Sequence, residues 1–415
     1  MNLNPTALSK RLLHKRAGAS ASVSLASVKN DILYSVPMSI GTPPQKFNLA
    51  IDTGSPTTWV AANTCQSNGC LGGKTFTCAA SSSCQVTQNG FNFTYVDGQG
   101  VSGAYVVETY NIGALSFKGV AGIATRSDSA LPTTIDGIMG LWYYAPGSPI
   151  PILNVLKNTT ALAQNLISVY LRPSLTNAVT APGGEITFGG VNTARFIGDI
   201  TYVNCIAERP WSIPVGGLSV GNTQINVGGA IATIDTGTTA MLMPQAVADA
   251  LHQNIPGAVK VANLEGLWFL PCDGNTDVTI TFGTFAGKLP YSSLAMQRAR
   301  QKVGTQEYCL SAAMFPTEGI AVIDEWLIGA AFLKNVYSVY DFSTDAPAGG
   351  RVGFANLAPH TDTGSDGGDG GDINNGGGGG GGGIKDGRSG AVSVQAGWLQ
   401  AAAAMVGVSA WMALF

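Results

Sequence analysis

The stretch Ala50-Ile51-Asp52-Thr53-Gly54-Ser55-Pro56-Thr57 is echoed by Thr233-Ile234-Asp235-Thr236-Gly237-Thr238-Thr239-Ala240. Each copy has an apolar lead-in, then Asp-Thr-Gly, then a hydroxyl residue. A lone Asp-Thr-Gly usually marks only a turn, whereas two copies 183 positions apart are separated by about the length of one lobe. The repeat therefore predicts a two-lobed protein with one aspartate at the centre of each lobe.

The chemistry expected of this repeat follows from the proximity of two carboxyl groups. They cannot both ionise easily, so one keeps its proton while the other acts as a base. Gly54 lets the backbone approach closely, and the hydroxyls of Thr53 and Ser55 could orient the carboxylate of Asp52. The second copy repeats each of these elements around Asp235. The pattern indicates acid–base chemistry carried by one residue type.

The composition limits the fold class and the partners. The 415 residues carry a net charge of −3 and only 11% are charged, so no basic surface points to nucleic acid. Short runs of Val, Ile, Thr, Tyr and Phe are broken by Gly, Pro, Asn and Ser, which is typical of many short strands. We therefore expect a mostly β protein.

The seven cysteines indicate the redox environment. Four of them, Cys65, Cys70, Cys78 and Cys84, have 4, 7 and 5 intervening residues, which differ from the paired close spacings of zinc sites, although zinc binding stays open as an alternative. Local disulfides in a secreted protein are favoured. Two Asn-x-Thr sequons, at Asn92 and Asn158, fit glycosylation in that environment, but so short a motif also arises by chance.

The N-terminal end is predicted to lie outside the lobes. Residues 1–16 are basic and polar, contain Lys-Arg pairs at 10–11 and 15–16, and lack the apolar core of a signal peptide. This pattern predicts the remnant of a pro-segment, processed after Arg16. A solvated basic terminus without processing is the alternative.

The C-terminal end predicts surface attachment. Residues 359–390 are expected to form a Gly-rich flexible linker, with an unbroken glycine run at 376–383, and residues 391–415 a hydrophobic tail. Small residues, a short polar spacer and a terminal apolar segment are typical of a GPI signal, with Ser389 as the expected attachment residue. A tail-anchored helix is the alternative, but the 18 residues from Trp398 to Phe415 are short for a membrane span.

Further motifs accompany the repeat. Residues 136–141 read Asp-Gly-Ile-Met-Gly-Leu, residues 326–329 read Trp-Leu-Ile-Gly, residues 184–190 read Gly-Glu-Ile-Thr-Phe-Gly-Gly, and Trp59 follows Asp52 by seven positions. On these motifs the chain resembles the pepsin-like aspartic peptidases, of fungal type, from about Leu33 to Leu357. The resemblance implies an all-β dominated, bilobal double-psi β-barrel architecture with pseudo-twofold symmetry and a few short helices. The N-terminal lobe with its flap would occupy residues 17–195, and the C-terminal lobe residues 196–358.

The resemblance also implies a secreted aspartic endopeptidase, a monomer acting on protein or peptide substrates without a metal or other cofactor. Water held between Asp52 and Asp235 would lose a proton to the ionised carboxylate and attack the scissile carbonyl. The threonines of the two motifs would cross-bond beneath the loops, and the following hydroxyls would bond the outer carboxylate oxygens. The supporting residues are Thr53, Ser55, Thr236 and Thr238, and the substrate-contacting residues of the loops are Gly54, Gly237 and Thr239.

A flap is implied at Phe93–Gly103, where two alternating strands flank Asp97-Gly98, a strong hairpin-turn dipeptide. Tyr95 would be its tyrosine, with the hydroxyl reaching towards Trp59. The alternative is that Tyr95 is only a half-buried strand aromatic.

The resemblance further implies disulfides Cys65–Cys70 and Cys272–Cys309, which leaves Cys78–Cys84 as an additional local pair and Cys205 as a buried free thiol. Three positions depart from the family pattern. Pro56 follows Ser55 where Ser or Ala is frequent, and its fixed φ is expected to be tolerated without loss of activity. Val96 stands in the flap where glycine is usual. Ala330 stands where many acid-acting relatives carry aspartate, and relatives with alanine there tend to act at less acidic pH. The resemblance thus implies an upward-displaced pH optimum.

Two other functions are possible alternatives to a peptidase. A non-catalytic member of the fold that binds inhibitors or partners would normally have lost an aspartate or its hydroxyl partner. The alternative of a cell-wall structural protein is supported only by the Gly-rich linker and the tail.

Two further expectations concern single residues. His252, in a predicted helix over Gln245–Gln253, is expected at the surface. A preference for large hydrophobic substrate residues is expected from Phe91, Tyr95, Ile138, Met241 and Leu242.

Overall fold

The computed structural model describes residues 18–359 except 71, 96–97, 129–130, 144–150, 160, 175, 177, 207–208, 261–265, 304, 316–324 and 344–349. The predictions for segment 1–16, Val96, Asp97, nearly all of the linker, and the tail with Ser389 lie outside these residues. Among the described residues, no helix is long and apolar enough to span a membrane.

The described part of the chain is built mainly of short strands, as the composition predicts. The strands are β1 (Ala21–Val28), β2 (Leu33–Ile40), β3 (Gln45–Asp52), β4 (Trp59–Ala61), β5 (Gln85–Thr94), β6 (Gly100–Ile112), β7 (Leu115–Ser127), β8 (Gly137–Gly140), β9 (Leu166–Leu171), β10 (Thr180–Phe188), β11 (Phe196–Asn204), β12 (Ser212–Pro214), β13 (Gly217–Val220), β14 (Thr223–Ile225), β15 (Ile231–Ile234), β16 (Met241–Leu242), β17 (Val259–Lys260), β18 (Trp268–Pro271), β19 (Val278–Phe282), β20 (Phe285–Leu289), β21 (Ala295–Val303), β22 (Gln306–Ser311), β23 (Ala313–Met314), β24 (Trp326–Ile328), β25 (Val336–Asp341) and β26 (Arg351–Leu357). The α-helices are α1 (Ile152–Asn158), α2 (Gln245–Gln253), α3 (Tyr291–Leu294) and α4 (Ala330–Leu333), and two 3-10 turns cover Asn68–Cys70 and Cys78–Ala80.

The strands alternate because one face of each packs on a core. In β1, Ala21, Val23 and Leu25 are buried while the serines between them are exposed, and β20 shows the same alternation. This period of two is what a half-buried strand requires. By contrast β8 and β9 are buried at every position, which places them inside the structure.

The two halves repeat one strand arrangement around the two aspartates. In the first half, β3 runs parallel to β8, and β4 pairs antiparallel with β8 and parallel with β7. In the second half, β15 runs parallel to β24, and β16 pairs antiparallel with β24 and parallel with β23. The fold is therefore the bilobal, pseudo-symmetric β architecture of the pepsin-like type, as predicted.

One sheet joins the two halves. Strands β11, β25 and β26 come from the predicted C-terminal lobe, yet β25 pairs antiparallel with β9, and the sheet continues through β10 and β1. The register brings Tyr337 opposite Tyr170 and Val339 opposite Ser168. This shared sheet holds the lobes at a set distance from each other, so that the aspartate of each half can reach the same cleft.

Disulfides join the two pairs that the resemblance implied, Cys65–Cys70 and Cys272–Cys309, and also the predicted additional pair, Cys78–Cys84. Cys205 is free and 4% exposed. Burial raises the pKa of its thiol to about 12, so the nucleophilic thiolate is not formed near neutral pH.

The prediction for His252 is half wrong. Helix α2 spans Gln245–Gln253 as expected, but His252 is fully buried rather than at the surface. Its ring stacks on Trp268 with centroids 4.7 Å apart, and Nε2 lies 2.8 Å from the hydroxyl of Ser311. His252 follows Ala248 by four positions and therefore shares the helix face that packs on the lobe. Its burial lowers its pKa to about 4, so it is a neutral core residue.

Candidate active site

Asp52 and Asp235 are delivered by equivalent strands. Asp52 is the last residue of β3 and lies opposite Gly140 of the parallel strand β8. Asp235 directly follows β15, and its amide donates to the carbonyl of Ile328 in β24 at 3.0 Å. Both aspartates are completely buried in the protein. Each carboxyl group is thus fixed at the end of a strand that is hydrogen-bonded along its length.

A glycine lies beside each aspartate loop, at Gly140 and Gly329, because the backbone of the loop passes too close for a side chain. A Cβ on Gly140 would lie 2.6 Å from the amide nitrogen of Thr57, and one on Gly329 would lie 2.3 Å from the carbonyl oxygen of Thr238. Both distances are far inside van der Waals contact, so a side chain at either position would displace the loop. This accounts for the repeated apolar-apolar-Gly motif that the sequence showed in both halves.

The two carboxyl groups have matching hydrogen bonds. Oδ1 of Asp52 accepts from the amide of Gly54 at 2.9 Å, and Oδ2 accepts from the hydroxyl of Ser55 at 2.6 Å. Oδ1 of Asp235 accepts from the amide of Gly237 at 2.8 Å, and Oδ2 from the hydroxyl of Thr238 at 2.5 Å. Both oxygens of each aspartate are therefore oriented by the loop that carries it.

The two aspartates also lie against each other. A Cβ on Gly54 would fall 2.6 Å from the carboxyl carbon of Asp235, so only glycine leaves room for that carboxyl group. The pKa of Asp52 is raised well above its ordinary value, first by burial and then by the negative charge of Asp235. The bonds from Ser55 and Gly54 oppose this shift by favouring the charged form. Asp52 therefore holds a proton more readily than an exposed aspartate does.

The two threonines of the motifs hold the loops together. The amide of Thr53 donates to Oγ1 of Thr236 at 3.1 Å, and the amide of Thr236 donates to Oγ1 of Thr53 at 2.9 Å. Each hydroxyl in turn donates to a carbonyl of the opposite half: Thr53 to Ile234 at 2.8 Å and Thr236 to Ile51 at 3.0 Å. These four bonds join the halves directly beneath the carboxyl groups.

The predicted flap is a hairpin formed by β5 and β6, in which Thr94 pairs with Gly100. The amide of Gly98 donates to the carbonyl of Tyr95 at 2.9 Å, and Gly98 has a φ of +81°, which favours glycine. The hydroxyl of Tyr95 accepts a 2.5 Å hydrogen bond from the indole of Trp59. Tyr95, directly after β5, is thereby bonded to β4, the strand that follows the Asp52 loop.

The remaining predicted site residues are less exposed than a substrate contact would suggest. Thr239 is buried, and its hydroxyl donates to the carbonyl of Ile32 at 2.5 Å, which links the second loop to the N-terminal half. Ile138, Met241 and Leu242 have no exposed surface. They therefore support the loops from below and do not line the cleft in this conformation.

The apolar surface near the flap comes from other residues. Phe91 and Tyr95 belong to a buried cluster with Trp59, and the partly exposed apolar side chains packed on that cluster are Ile32, Phe93, Tyr105 and Leu131. Phe93 meets the Tyr95 ring edge-on, with centroids 5.4 Å apart. Of this partly exposed group, only Phe93 stood inside the predicted flap.

The sequence analysis missed two residues that support the loops. Trp211, which has a φ of +59°, donates from its indole to the carbonyl of Leu141 at 2.9 Å and so connects the halves below the Asp52 loop. Glu325 is buried and accepts from the hydroxyl of Thr233 at 2.9 Å and from Arg209 at 3.1 Å. Glu325 could have been identified from the sequence, because it is a carboxylate that directly precedes the Trp-Leu-Ile-Gly motif.

The two predicted glycosylation sites lie on the surface. Asn92 on β5 and Asn158 at the end of α1 are both exposed.

Ala330, by contrast, is buried at the start of α4. Its amide donates to the carbonyl of Thr238 at 2.7 Å, so the position contacts the Asp235 loop. Its effect on the pH optimum stays a prediction. Within the described ranges, no group of three or more His, Cys, Asp or Glu side chains is arranged to hold a metal ion.

Comparison with known proteins agrees with this geometry. The family model described as eukaryotic aspartyl protease matches residues 33–357. The chain is 31% identical over 328 residues to the probable aspartic-type endopeptidase CTSD of Trichophyton verrucosum, covering 78% of this chain and 61% of that protein. It is 29% identical over 371 residues to the major aspartyl peptidase 1 of Cryptococcus neoformans, covering 84% and 73%. It is 30% identical over 356 residues to the mucorpepsin of Rhizomucor miehei, covering 78% of each. The match to the Trichophyton protein thus leaves more than a third of that relative's length uncovered.

Proposed function

Because the chain belongs to the eukaryotic aspartyl protease family, we propose that it is an aspartic endopeptidase in which Asp52 and Asp235 activate water against a peptide carbonyl. The observation that carries the proposal is the pair of buried carboxyl groups, each with one oxygen bonded by a glycine amide and the other by a hydroxyl. A structural ion pair or a turn would not require two carboxyl groups with matching hydrogen bonds that lie against each other.

The proposed reaction uses one shared proton. The ionised carboxylate takes a proton from a water molecule, and the water oxygen bonds to the carbonyl carbon of the substrate. The protonated carboxyl gives its proton to the carbonyl oxygen, forming a tetrahedral diol. Transfer of a proton to the amide nitrogen then breaks the carbon–nitrogen bond and releases a carboxylic acid and an amine. In this scheme the proton is assigned to the pair of carboxyl groups and not to either one alone.

Substrate would bind as an extended strand across the loops, beneath the flap, using backbone groups of Gly54 and Gly237. We propose a preference for hydrophobic residues next to the scissile bond. The partly exposed side chains of Ile32, Phe93, Tyr105 and Leu131 support this preference, because they add apolar surface to the cluster that contains Tyr95 and Trp59. Tyr95 would close the cleft at the point where its hydroxyl meets Trp59.

The proposal predicts cleavage of a denatured protein at acid pH, inhibited by a pepstatin-type compound. The rate should fall as the pH rises above the raised pKa of Asp52, because the protonated carboxyl that donates to the carbonyl oxygen is then lost. The measurement is a pH–rate profile on an acid-unfolded protein, with and without inhibitor. A rate that increases through neutral pH, or that the inhibitor leaves unchanged, would contradict the proposed chemistry, and the absence of cleavage at every pH would favour a non-catalytic binding protein.

We propose in addition that the enzyme is secreted, glycosylated and held at the cell surface or wall by a lipid anchor, acting as a monomer. The three disulfides support an oxidising environment. Asn92 and Asn158 are exposed, as glycan attachment requires. The lipid anchor rests on the sequence pattern around Ser389 alone.

The anchor predicts release of surface activity by phosphatidylinositol-specific phospholipase C from eukaryotic cells expressing the full chain. Ser389→Trp should abolish the attached fraction, because the attachment site requires small residues, while Ser393→Trp in the following segment should leave it attached. Surface activity that resists the lipase, or equal attachment of both variants, would instead support the tail-anchored helix.

A further inference from the structure

A cavity of about 910 Å³ lies beside the Asp235 loop. Its walls come from the turn between β1 and β2, the segment after β9, strand β21 and helix α4. The lining side chains that matter here are Asp31, Thr239, Arg298, Arg300, Ala331 and Lys334. Nothing in the reaction proposed above uses this cavity.

The cavity is continuous with the catalytic loop. Thr239 lines it and directly follows Thr238, the hydroxyl partner of Asp235. Ala331, also in the wall, donates its amide to the carbonyl of Thr239 at 2.9 Å. Thr239 is four positions from Asp235, at most about 14 Å of extended chain. A bound peptide running past Gly237 would therefore reach the cavity within roughly three to five residues of its scissile bond.

The charge of the cavity is mostly positive, and two of its three cations already have partners. Lys334 lies 3.2 Å from Asp31, and Arg300 lies 3.3 Å from Glu307. The carboxylate of Asp31 also accepts from the hydroxyl of Ser27 at 2.7 Å and the amide of Ser174 at 2.8 Å. Asp31 thus accepts from Ser27, Ser174 and Lys334, and its charge also acts on Arg298, although Lys334 is the cation in contact with it.

Arg298 is the third cation in the cavity wall, and it differs from Lys334 and Arg300 in its hydrogen bonding. Nη1 donates to the carbonyl of Asn30 at 2.7 Å and Nη2 contacts the sulfur of Met296 at 3.1 Å. Nε is buried without a hydrogen-bond partner, and among the described residues no carboxylate lies within ion-pair distance of this guanidinium. Burial lowers the pKa of Arg298, which reflects the cost of removing its charge from water. A half-buried arginine whose donors are incompletely used is a natural partner for a planar carboxylate.

We propose that this cavity binds the carboxylate of an acidic substrate residue, three to five positions from the scissile bond, with Arg298 as its partner. The inference rests on the proposed peptidase function and makes it more specific. The enzyme would then combine a hydrophobic preference next to the cleaved bond with an acidic preference at one remote position. We favour a residue of a bound peptide over a free anion as the ligand, because Thr239 and Ala331 connect the cavity to the catalytic loop across which the peptide would lie.

The test is a set of quenched-fluorescence peptides, identical except that glutamate or glutamine stands at each position in turn. For the wild type at pH 5.5, one remote position should give a kcat/KM about tenfold higher with glutamate than with glutamine. Arg298→Gln should reduce that ratio to one, and Arg298→Lys should retain part of it, because lysine keeps the charge but loses the planar fork. Lys302→Gln is the matched control, since it removes one exposed charge from the same strand outside the cavity.

A pH series separates binding of a charged residue from a structural effect of Arg298. The Glu-to-Gln ratio should approach one at pH 3, where the peptide glutamate is protonated, because its ordinary pKa is about 4.3. The ionisable side chains facing Arg298 are Asp31, Tyr34, Arg300 and Lys334. The same pH series measured on Arg298→Gln isolates the part of the Glu-to-Gln ratio that depends on Arg298.

The outcomes separate this inference from the function on which it rests. If no peptide is cleaved, the peptidase proposal fails and the inference fails with it. If peptides are cleaved but no position distinguishes glutamate from glutamine, or if Arg298→Gln keeps the preference, only the acidic site is overturned. Thermal melting shows whether Arg298→Gln is folded; if it is not, Arg298→Lys decides, because a ratio below that of the wild type supports the acidic site and an unchanged ratio overturns it.

Discussion

Asp52→Asn should lower kcat/KM for peptide cleavage by roughly 10²–10⁴-fold, the usual contribution of a positioned acid or base. The amide keeps the shape of the side chain and can still accept from the amide of Gly54, but its NH2 group cannot accept from Ser55, and it cannot exchange the proton that the reaction requires. The measurement compares initial rates of the wild type and Asp52→Asn on one quenched peptide. Asp199→Asn, an exposed position on β11, is the control for the same change in net charge.

The same variant has a stability signature that shows it is folded. Burial raises the pKa of Asp52 above its ordinary value of 3.8, so the folded state binds this proton more tightly than the unfolded chain. The resulting stabilisation is present below the unfolded pKa and is lost as the pH rises through the folded pKa. Asp52→Asn avoids that loss, so it should melt at a higher temperature than the wild type at pH 7. At pH 3 the two should melt closer together. An Asp52→Asn enzyme that retains activity within about tenfold of the wild type would rule out the proposed role.

Thr53→Val should destabilise the protein by about 2–6 kcal/mol, because it leaves two buried backbone groups without partners at about 1–3 kcal/mol each. The groups are the amide of Thr236 and the carbonyl of Ile234, both bonded by the Thr53 hydroxyl across the two halves. Since these bonds lie beneath the carboxyl groups, we also expect kcat to fall by roughly 10²-fold through misplacement of the aspartates. Chemical denaturation and single-peptide kinetics measure the two effects.

Two companion variants isolate the cause. Thr53→Ser retains the hydroxyl and should restore most of both stability and kcat. Thr187→Val removes an equally buried hydroxyl, but one paired only with the exposed Ser22, whose hydroxyl water can then satisfy. If Thr187→Val lowers the free energy of unfolding as much as Thr53→Val does, the loss of stability comes from replacing any buried threonine by valine and not from the bonds between the halves.

Much of the candidate site could be predicted because its signals are local and repeated. The Asp-Thr-Gly copies, the apolar-apolar-Gly motifs and the Asp97-Gly98 dipeptide each reflect a backbone requirement that only a few residue types meet. The helix over Gln245–Gln253 and the close cysteine pairs are likewise short-range features, and the structure contains all of them.

Contacts between distant segments could not be predicted in this way. His252 appeared to be a surface residue because its burial depends on Trp268, which comes from another strand. Ile138, Met241 and Leu242 appeared to line a cleft because apolar character alone does not distinguish a pocket wall from the support beneath it. Arg298 attracted no attention, since a single arginine in a strand is ordinary until its neighbours and missing carboxylate are seen.

The sequence by itself determined the identity of the two aspartates, the glycines and hydroxyls around them and the β-rich, two-lobed plan, because backbone geometry and strand periodicity act over a few residues. Only the tertiary structure decided how the halves meet elsewhere: the shared sheet, the bond from the Trp211 indole to the carbonyl of Leu141, and the cavity at Arg298. The physical reason is that hydrogen bonding, burial and charge pairing depend on distance in space, which residues far apart in the chain acquire only when the lobes pack together.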